Sequence, residues 1–328
     1  MTDRAKVIEA VQIGLESTPG TAVAAPTNIR STSVDMKIGG AAEFFRPDGH
    51  KFNTLNELNM EWSTFALSGK PTYTELCWLL AMMFGNPSPA ASGVAVKTRT
   101  YDMADTALLA PTTATIMKGS SVRAQKLAYG LLHDLGMTFS RSAGLTLTGA
   151  GIGQLFTDGI TMTASPVDVP LVPIVGKHLD FYIDATGAAL GTTKMLRAFH
   201  VEPSLTGVYG PIWPINSANA SFGAAIDLPP TTGVKITMEA DAAGMAYLSQ
   251  FRADTTIFCR LLATGPLMAA DAVAYSLTYD VALGIKSVSP DEDESGVTVV
   301  TFETEMTKDP TWGKALEIKV VNDVAAVA

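Results

Sequence analysis

Apolar side chains fall on every second residue in stretch after stretch of this chain, a period that places them on one face of a β-strand. In ELNMEWSTF, Leu58, Met60 and Trp62 oppose Glu57, Asn59, Glu61 and Ser63. In MTFSRSAGLTLT, Met137, Phe139, Leu145 and Leu147 oppose Thr138, Ser140, Ser142, Thr146 and Thr148. Val234, Ile236 and Met238 form the apolar side of VKITME, and the longest row runs from Val273 through Tyr275, Leu277, Tyr279, Val281 and Leu283 to Ile285. Val300, Phe302 and Met306 alternate with Thr301, Glu303 and Glu305, and Leu316, Ile318 and Val320 alternate with Glu317 and Lys319. The fold class is therefore mainly β, with antiparallel sheets that are buried on one face and wet on the other.

Two segments break the period. PTYTELCWLLAMMFG predicts a helix over 72–85, with Thr72 and Glu75 spaced as a capping box and Gly85 as a stop. Its apolar face is read as Tyr73, Leu76, Cys77, Leu80, Met83 and Phe84. DAAGMAYLSQFRA predicts a second helix over 241–253, starting at Asp241 and interrupted by Gly244. A strand precedes each helix and paired strands follow it. AYGLLHDLGM, from Ala128 to Met137, aligns with AYSLTYDVAL, from Ala274 to Leu283. This order suggests two duplicated modules, joined by the proline-rich SPVDVPLVPIVGK at 165–177.

Composition limits the function classes. Of 328 residues 47% are hydrophobic and 17% charged, enough apolar surface for a core and too few charges for disorder. The net charge of −9 leaves no basic face to grip phosphates. The N-terminus shows no apolar signal region, and the most apolar run, Leu76 to Phe84, is half of the roughly 20 residues a membrane span needs. Cys77 and Cys259 lie far apart in apolar contexts and read as buried thiols. Synthesis in a cytoplasm, with no membrane partner, is the expectation.

No catalytic constellation emerges. His178 with Asp180, and His200 with Glu202, could each begin a metal site, but no third ligand follows at a recognisable spacing. GAGIG at 149–153 lacks the dinucleotide spacing, MKGSSVR lacks a P-loop ending, and SPDEDESG at 289–296 lacks the ligand alternation of a calcium loop. No enzyme activity, metal or cofactor is expected. Residues 142–157 and 203–226 carry no charge until their ends, so each is either buried or set against another subunit.

The segment IGLESTPGTAVAAP, at 13–26, resembles the start of siphophage major tail tube proteins, which carry a Gly-x-Glu-x-(Ser/Thr)-x-Gly-Thr-Ala pattern. Gly14, Glu16, Ser17, Gly20, Thr21 and Ala22 bear it here. The acidic strand leading to YTELCWLLAMMFG, the passage from ASFGAAIDLPP to LLATGP, and the ending WGKALEIKVVND follow in the family's order; residues 86–122 fit poorly and read as an insertion.

The resemblance implies antiparallel sandwich or half-barrel modules whose sheets close into one barrel with neighbouring copies. It implies a structural virion protein, assembled as stacked rings into a tail tube through which double-stranded DNA passes without specific binding. The implied partners are other copies of itself, a tape measure protein inside, and terminator and distal-tail proteins at the ends. The ring would hold three chains with pseudo-sixfold symmetry, or six chains. The implied location is the virion tail, after synthesis in a bacterial host.

On this reading residues 1–35 form an arm, 36–166 and 178–312 two β modules around the linker 167–177, and 313–328 a closing strand and tail. Glu57, Glu61, Glu303 and Glu305 would face the channel, where carboxylates repel phosphates. Residues 13–26 would dock on a neighbouring subunit. Pro47, Asp48 and Gly49 would turn a hairpin that reaches the next ring. The alternatives are another phage structural protein, such as a capsid decoration or distal-tail component, and a carbohydrate-binding sandwich using Tyr209 and Trp213.

Overall fold

A computed structural model of the chain describes residues 8–91, 93, 95–103, 105–215 and 220–328. The first seven residues of the expected arm, and 92, 94, 104 and 216–219, lie outside the described residues. The described chain is mainly β and almost entirely antiparallel.

Its organising element is an eight-stranded sheet. Strand β3 (Thr32–Phe45) pairs with β4 (Leu55–Gly69), β4 with β9 (Gly144–Gly153), and β9 with β8 (Ala124–Ser140). The next four strands repeat that order. Strand β13 (Ala198–Thr206) pairs with β16 (Thr231–Glu239), β16 with β19 (Val297–Met306), and β19 with β18 (Ala274–Glu294). The two quartets are fused where β8 pairs with β13. The free edges are β3 and the C-terminal part of β18.

Strands β8 and β18 are long because each serves two sheets. The first part of β8 leaves the eight-stranded sheet to pair with β7 (Ala114–Gly119) and β10 (Phe156–Ile160). Strand β7 continues to β1 (Ala10–Leu15), β2 (Thr27–Ile29) and the parallel β11 (Val167–Asp168). The first part of β18 lies between β17 (Ile257–Leu267) and β20 (Leu316–Asn322). Strand β12 (Leu179–Asp184) extends that sheet beyond β17, and β6 (Lys97–Asp102) with β5 (Ala90–Ala91) extends it beyond β20. Residues 86–122, read as an insertion, thus supply strands to both outer sheets. The linker residues are no free tether: β11 pairs with β2, and the Ile174 carbonyl accepts from Leu145 N.

The ladders fix how the halves correspond. Strand β8 has a bulge between Leu132 and Asp134, and β18 has one between Ile285 and Ser287. Matching the bulges places Leu132 with Ile285. The sequence alignment instead set Leu132 against Thr278, seven residues out of step. The shared Ala, Tyr, Leu and Asp letters misled because apolar alternation looks alike at several registers.

Helix α1 (Leu76–Phe84) and helix α2 (Ala242–Arg252) occupy the same place in the order, after β4 and β16. Asp241 caps α2, accepting from Ala243 N and Gly244 N. Thr72 Oγ1 accepts the Glu75 amide at 3.2 Å, but the Glu75 carboxylate does not return to complete the box. It accepts instead from the amides of Arg30 and Ser31. Burial pushes the Glu75 carboxyl above the usual range. Helix α1 has no wet face: all nine residues are buried. The side outside the expected apolar face is covered by the C-terminal segment, with Trp78 Nε1 donating to the Ala328 carbonyl, and Asn322 Nδ2 donates to the Tyr73 carbonyl just before the helix.

One continuous core joins α1, both quartets and the outer sheets. The apolar rows expected at Met137–Leu147 and Val234–Met238 lie in it, as do Tyr275–Leu283 of the longest row and Val300 and Phe302; Val273 is exposed, and Ile285 and Met306 are half-buried. The row Leu58–Met60 does not. Along β4 the buried residues are Ser63, Phe65 and Leu67, which alternate in step with Glu61, and Leu58 and Met60 are exposed. The outer half of β4 runs beyond the body, where neither face is covered.

Candidate assembly surface

The eight-stranded sheet turns one face to the core and leaves the other bare. From edge to edge the bare face presents Ser33, Asp35 and Lys37 on β3, then Thr64, Ala66 and Ser68 on β4. Strand β9 adds Thr146, Thr148 and Ala150, and β8 adds Asp134, Gly136 and Thr138. Glu202, Ser204 and Thr206 follow on β13, Gly233 and Lys235 on β16, Glu303 and Glu305 on β19, and Ser287 and Ser289 on β18. These residues are exposed or half-buried and none carries a large apolar group; the half-buried Ile152, opposite Thr64, bounds the face at the hairpin end of β9. Small polar side chains keep such a wall smooth, and neither helix crosses it.

Carboxylates predominate on this face. Asp35, Asp134, Glu202, Glu303 and Glu305 outnumber Lys37 and Lys235. Asp35 partly occupies Lys37 at 3.7 Å, and Glu303 stands opposite Lys235 in the β16–β19 ladder. The four glutamates expected at a channel are split. Glu303 and Glu305 lie on the bare face, whereas Glu57 and Glu61 lie on the projecting hairpin of β3 and β4, with Glu57 opposite Glu43. Asp35, Asp134 and Glu202 were missed because a lone carboxylate among threonines and serines carries no pattern of its own.

That hairpin extends past the sheet to a turn at Pro47, Asp48 and Gly49, where the Pro47 carbonyl accepts from His50 N and Gly49 adopts φ +83°. It exposes Ile38, Phe44, Phe45, Phe52, Leu55 and Leu58. Its base is buttressed by the loop between β14 (Tyr209–Ile212) and β15 (Ala224–Asp227). Trp62 meets Trp213 edge-on at 5.8 Å, Trp213 meets Phe222, and Glu61 N donates to the Ala220 carbonyl. The described part of the uncharged stretch 203–226 is thus largely used within the chain. Tyr209 is buried, its hydroxyl donating to the Met83 carbonyl, so it forms no sugar platform with Trp213.

Residues 13–26, expected to dock on a neighbouring subunit, are folded onto their own chain. Val11 to Ile13 pair with β2, and the whole of β1 pairs with β7. The motif residue Glu16 is buried and accepts four hydrogen bonds: from Gly20 N at 2.9 Å, Thr113 Oγ1 at 2.8 Å, Thr115 Oγ1 at 2.8 Å and Tyr129 N at 2.9 Å. Gly20 has φ +82°, and a Cβ there would lie 2.7 Å from the Tyr129 ring. A Cβ on Gly14 would lie 2.2 Å from the Ala24 carbonyl oxygen. Ser17, Thr21 and Ala22 are exposed between these fixed points. The motif therefore encodes a loop clasped by one carboxylate.

The histidine–carboxylate pairs do not converge. His178 lies 3.4 Å from the Tyr73 hydroxyl while Asp180 pairs with Lys194, and His200 lies 3.4 Å from Glu294 rather than Glu202. Among the described residues no three His, Cys, Asp or Glu side chains are grouped to hold a metal ion. No helix among them is long and apolar enough to cross a membrane. No family model matches this chain, and no curated protein matches it.

Proposed function

We propose that this chain is the subunit of a self-assembling tube of the phage tail type, in which the bare sheet face lines a channel for double-stranded DNA. What carries the reading is the eight-stranded sheet with one uncovered, small and predominantly acidic face and two open edges. Open edges present unpaired N–H and C=O groups, and closure with further copies satisfies them. Eight strands alone would make a barrel just filled by its own side chains, whereas barrels of about 16–18 strands already hold an aqueous channel. Three copies of this sheet exceed that size and present six quartets, the sixfold pattern the resemblance implies.

The acidic wall suits a conduit. Each cationic contact to DNA would add attraction that must be broken for the polymer to advance, and a negative wall keeps phosphates at a distance. The projecting β3–β4 hairpin, with its exposed Phe and Leu side chains, is the element with reach to touch a stacked ring. In this setting the chain would meet a tape measure protein within the tube and terminator and distal-tail proteins at its ends. Negative-stain electron microscopy of concentrated protein tests the reading. Hollow filaments or stackable rings with a central channel are expected; particles of single-chain size at every concentration would refute it.

A further inference from the structure

The fused quartets provide an internal template for the contact between copies. Where β13 meets β8, Leu205 stands opposite Leu135, Ser204 opposite Gly136, Val201 opposite Phe139 and His200 opposite Ser140. Each of these residues has a counterpart on a free edge. Val34 and Ile38 sit on β3 as Val201 and Leu205 sit on β13, since Val34 faces Leu67 where Val201 faces Ile236, and Ile38 faces Ser63 where Leu205 faces Thr232. Through the matched bulges, Leu135 corresponds to Val288 and Gly136 to Ser289. At the far end Ser140 pairs with Gly144 as Glu294 pairs with Val297, so Phe139 corresponds to Asp293.

At the Leu205–Leu135 position the counterparts differ in exposure. Leu205 is 1% exposed and Leu135 is 1% exposed, whereas Ile38 is 64% exposed and Val288 is half-exposed. The edge positions carry apolar side chains suited to a junction that a single copy does not complete. Beside Val34, at the β3 edge, lies a groove of about 710 Å³ whose charged lining is Arg30, Lys118, Glu9 and Asp168. Arg30 is engaged with Asp168 at 3.3 Å, but Lys118 holds only the Val34 carbonyl, at 2.7 Å, with no carboxylate partner among the described residues. The opposite edge ends in the tip Asp291, Glu292, Asp293 and Glu294.

We propose that the β18 edge of a second copy joins the β3 edge in the register of the internal junction, setting Ile38 opposite Val288, Lys37 opposite Ser289, and the acidic tip over Lys118. The proposal rests on the tube reading above and specifies its seam. The partner is another copy of this chain. Asp293 comes level with Val34 and so within reach of the Lys118 ammonium, while Ile38 and Val288 bury each other as Leu205 and Leu135 do. A slip of one residue would set Ile38 opposite Ser289, a residue of the bare face, and the two copies could not join with their core faces on one side.

Paired cysteines test the register. Cys77 and Cys259 are buried, so the native thiols stay silent in the folded chain. The variant I38C/V288C, oxidised after assembly, should give covalent oligomers between copies that collapse to one band on reduction. I38C/P290C, shifted along the edge by two residues, should give far fewer. Tubes that cross-link only in the shifted pair, or in neither, would overturn the register while leaving the tube reading intact. Absence of any assembly by the unmodified protein would overturn both. A charge exchange tests the tip separately. K118E and D293K should each lower the assembled fraction at least tenfold at low salt, and the double variant should recover most of it. Equal loss in the double variant and the single ones, with an unchanged circular dichroism spectrum, would refute the tip contact.

Discussion

Replacing Glu16 with alanine should loosen the whole N-terminal sheet. Its two carboxylate oxygens take donors from residues 20, 113, 115 and 129. The threonine hydroxyls can rotate toward other acceptors, but the amides of Gly20 and Tyr129 cannot. Tyr129 sits at φ +54°, so its N–H direction is set by a backbone conformation with few alternatives. A buried donor stripped of its acceptor costs about 1–3 kcal/mol. Two such amides together cost about 2–6 kcal/mol and water entering the vacated space recovers part, so E16A should lose roughly 3–5 kcal/mol. With an unfolding entropy of about 2.1 cal/mol/K per residue, a chain of this length should lose about 4–7 °C in Tm. E16Q keeps one accepting oxygen and should lose about half as much. The assay is thermal unfolding of the unassembled protein followed by circular dichroism. An E16A variant that melts within a degree of the parent would refute the clasp and return residues 13–26 to the role of a loosely held segment.

Other outcomes follow from single contacts. Asp184 is buried, which alone would raise its pKa, but hydrogen bonds from Thr192, Thr193 and Gly191 outweigh that and hold it below the usual range. Its stabilisation is present above the unfolded value, near about 4, and is lost as pH falls through the lower folded value. Acid titration of stability should therefore be shallower in D184N; an identical acid limb would count against the assignment. Gly244 to Ala should destabilise by about 1–3 kcal/mol despite alanine's better helix propensity, because the new Cβ would lie 2.2 Å from the Glu239 carbonyl oxygen; a more stable variant in urea titration would contradict this. Serine at Phe44, Phe52 and Leu55 together should leave the melting of the unassembled protein within a degree or so and shorten the filaments seen by microscopy; full-length filaments would remove the hairpin from ring stacking. Reversing Glu303 and Glu305 to lysine should slow DNA ejection from particles built with the variant, whereas reversal of Glu57 and Glu61, off the bare face, should not; equal rates in both would sink the electrostatic account.

Strands whose two faces differ were readable from the sequence, because burial on one side writes a period of two. The Asp241 cap and the Pro47–Gly49 turn were readable because each acts on amides within three residues of itself. What escaped was long-range. Glu16 looks like a surface residue in a small-residue loop, since its partners Thr113, Thr115 and Tyr129 lie about a hundred positions away. Helix α1 was read with one apolar face because nothing local announces that residues near the C-terminus cover the other. The alternation through Leu58 and Met60 was real, but the strand outruns the body there, and a pattern cannot tell a core-facing row from one that protrudes. Most of the bare face was invisible for the opposite reason: threonine, serine and alanine on alternate positions are equally at home beside water or beside another chain.

Strands β8 and β18 each belong to two sheets at once. Peeling either flanking sheet away would drag covalently on the eight-stranded one, which couples their opening. A force applied to the bare-faced sheet is carried into the flanking sheets along peptide bonds rather than across van der Waals contacts, as tension is carried by reinforcing bars that run from one layer of concrete into the next.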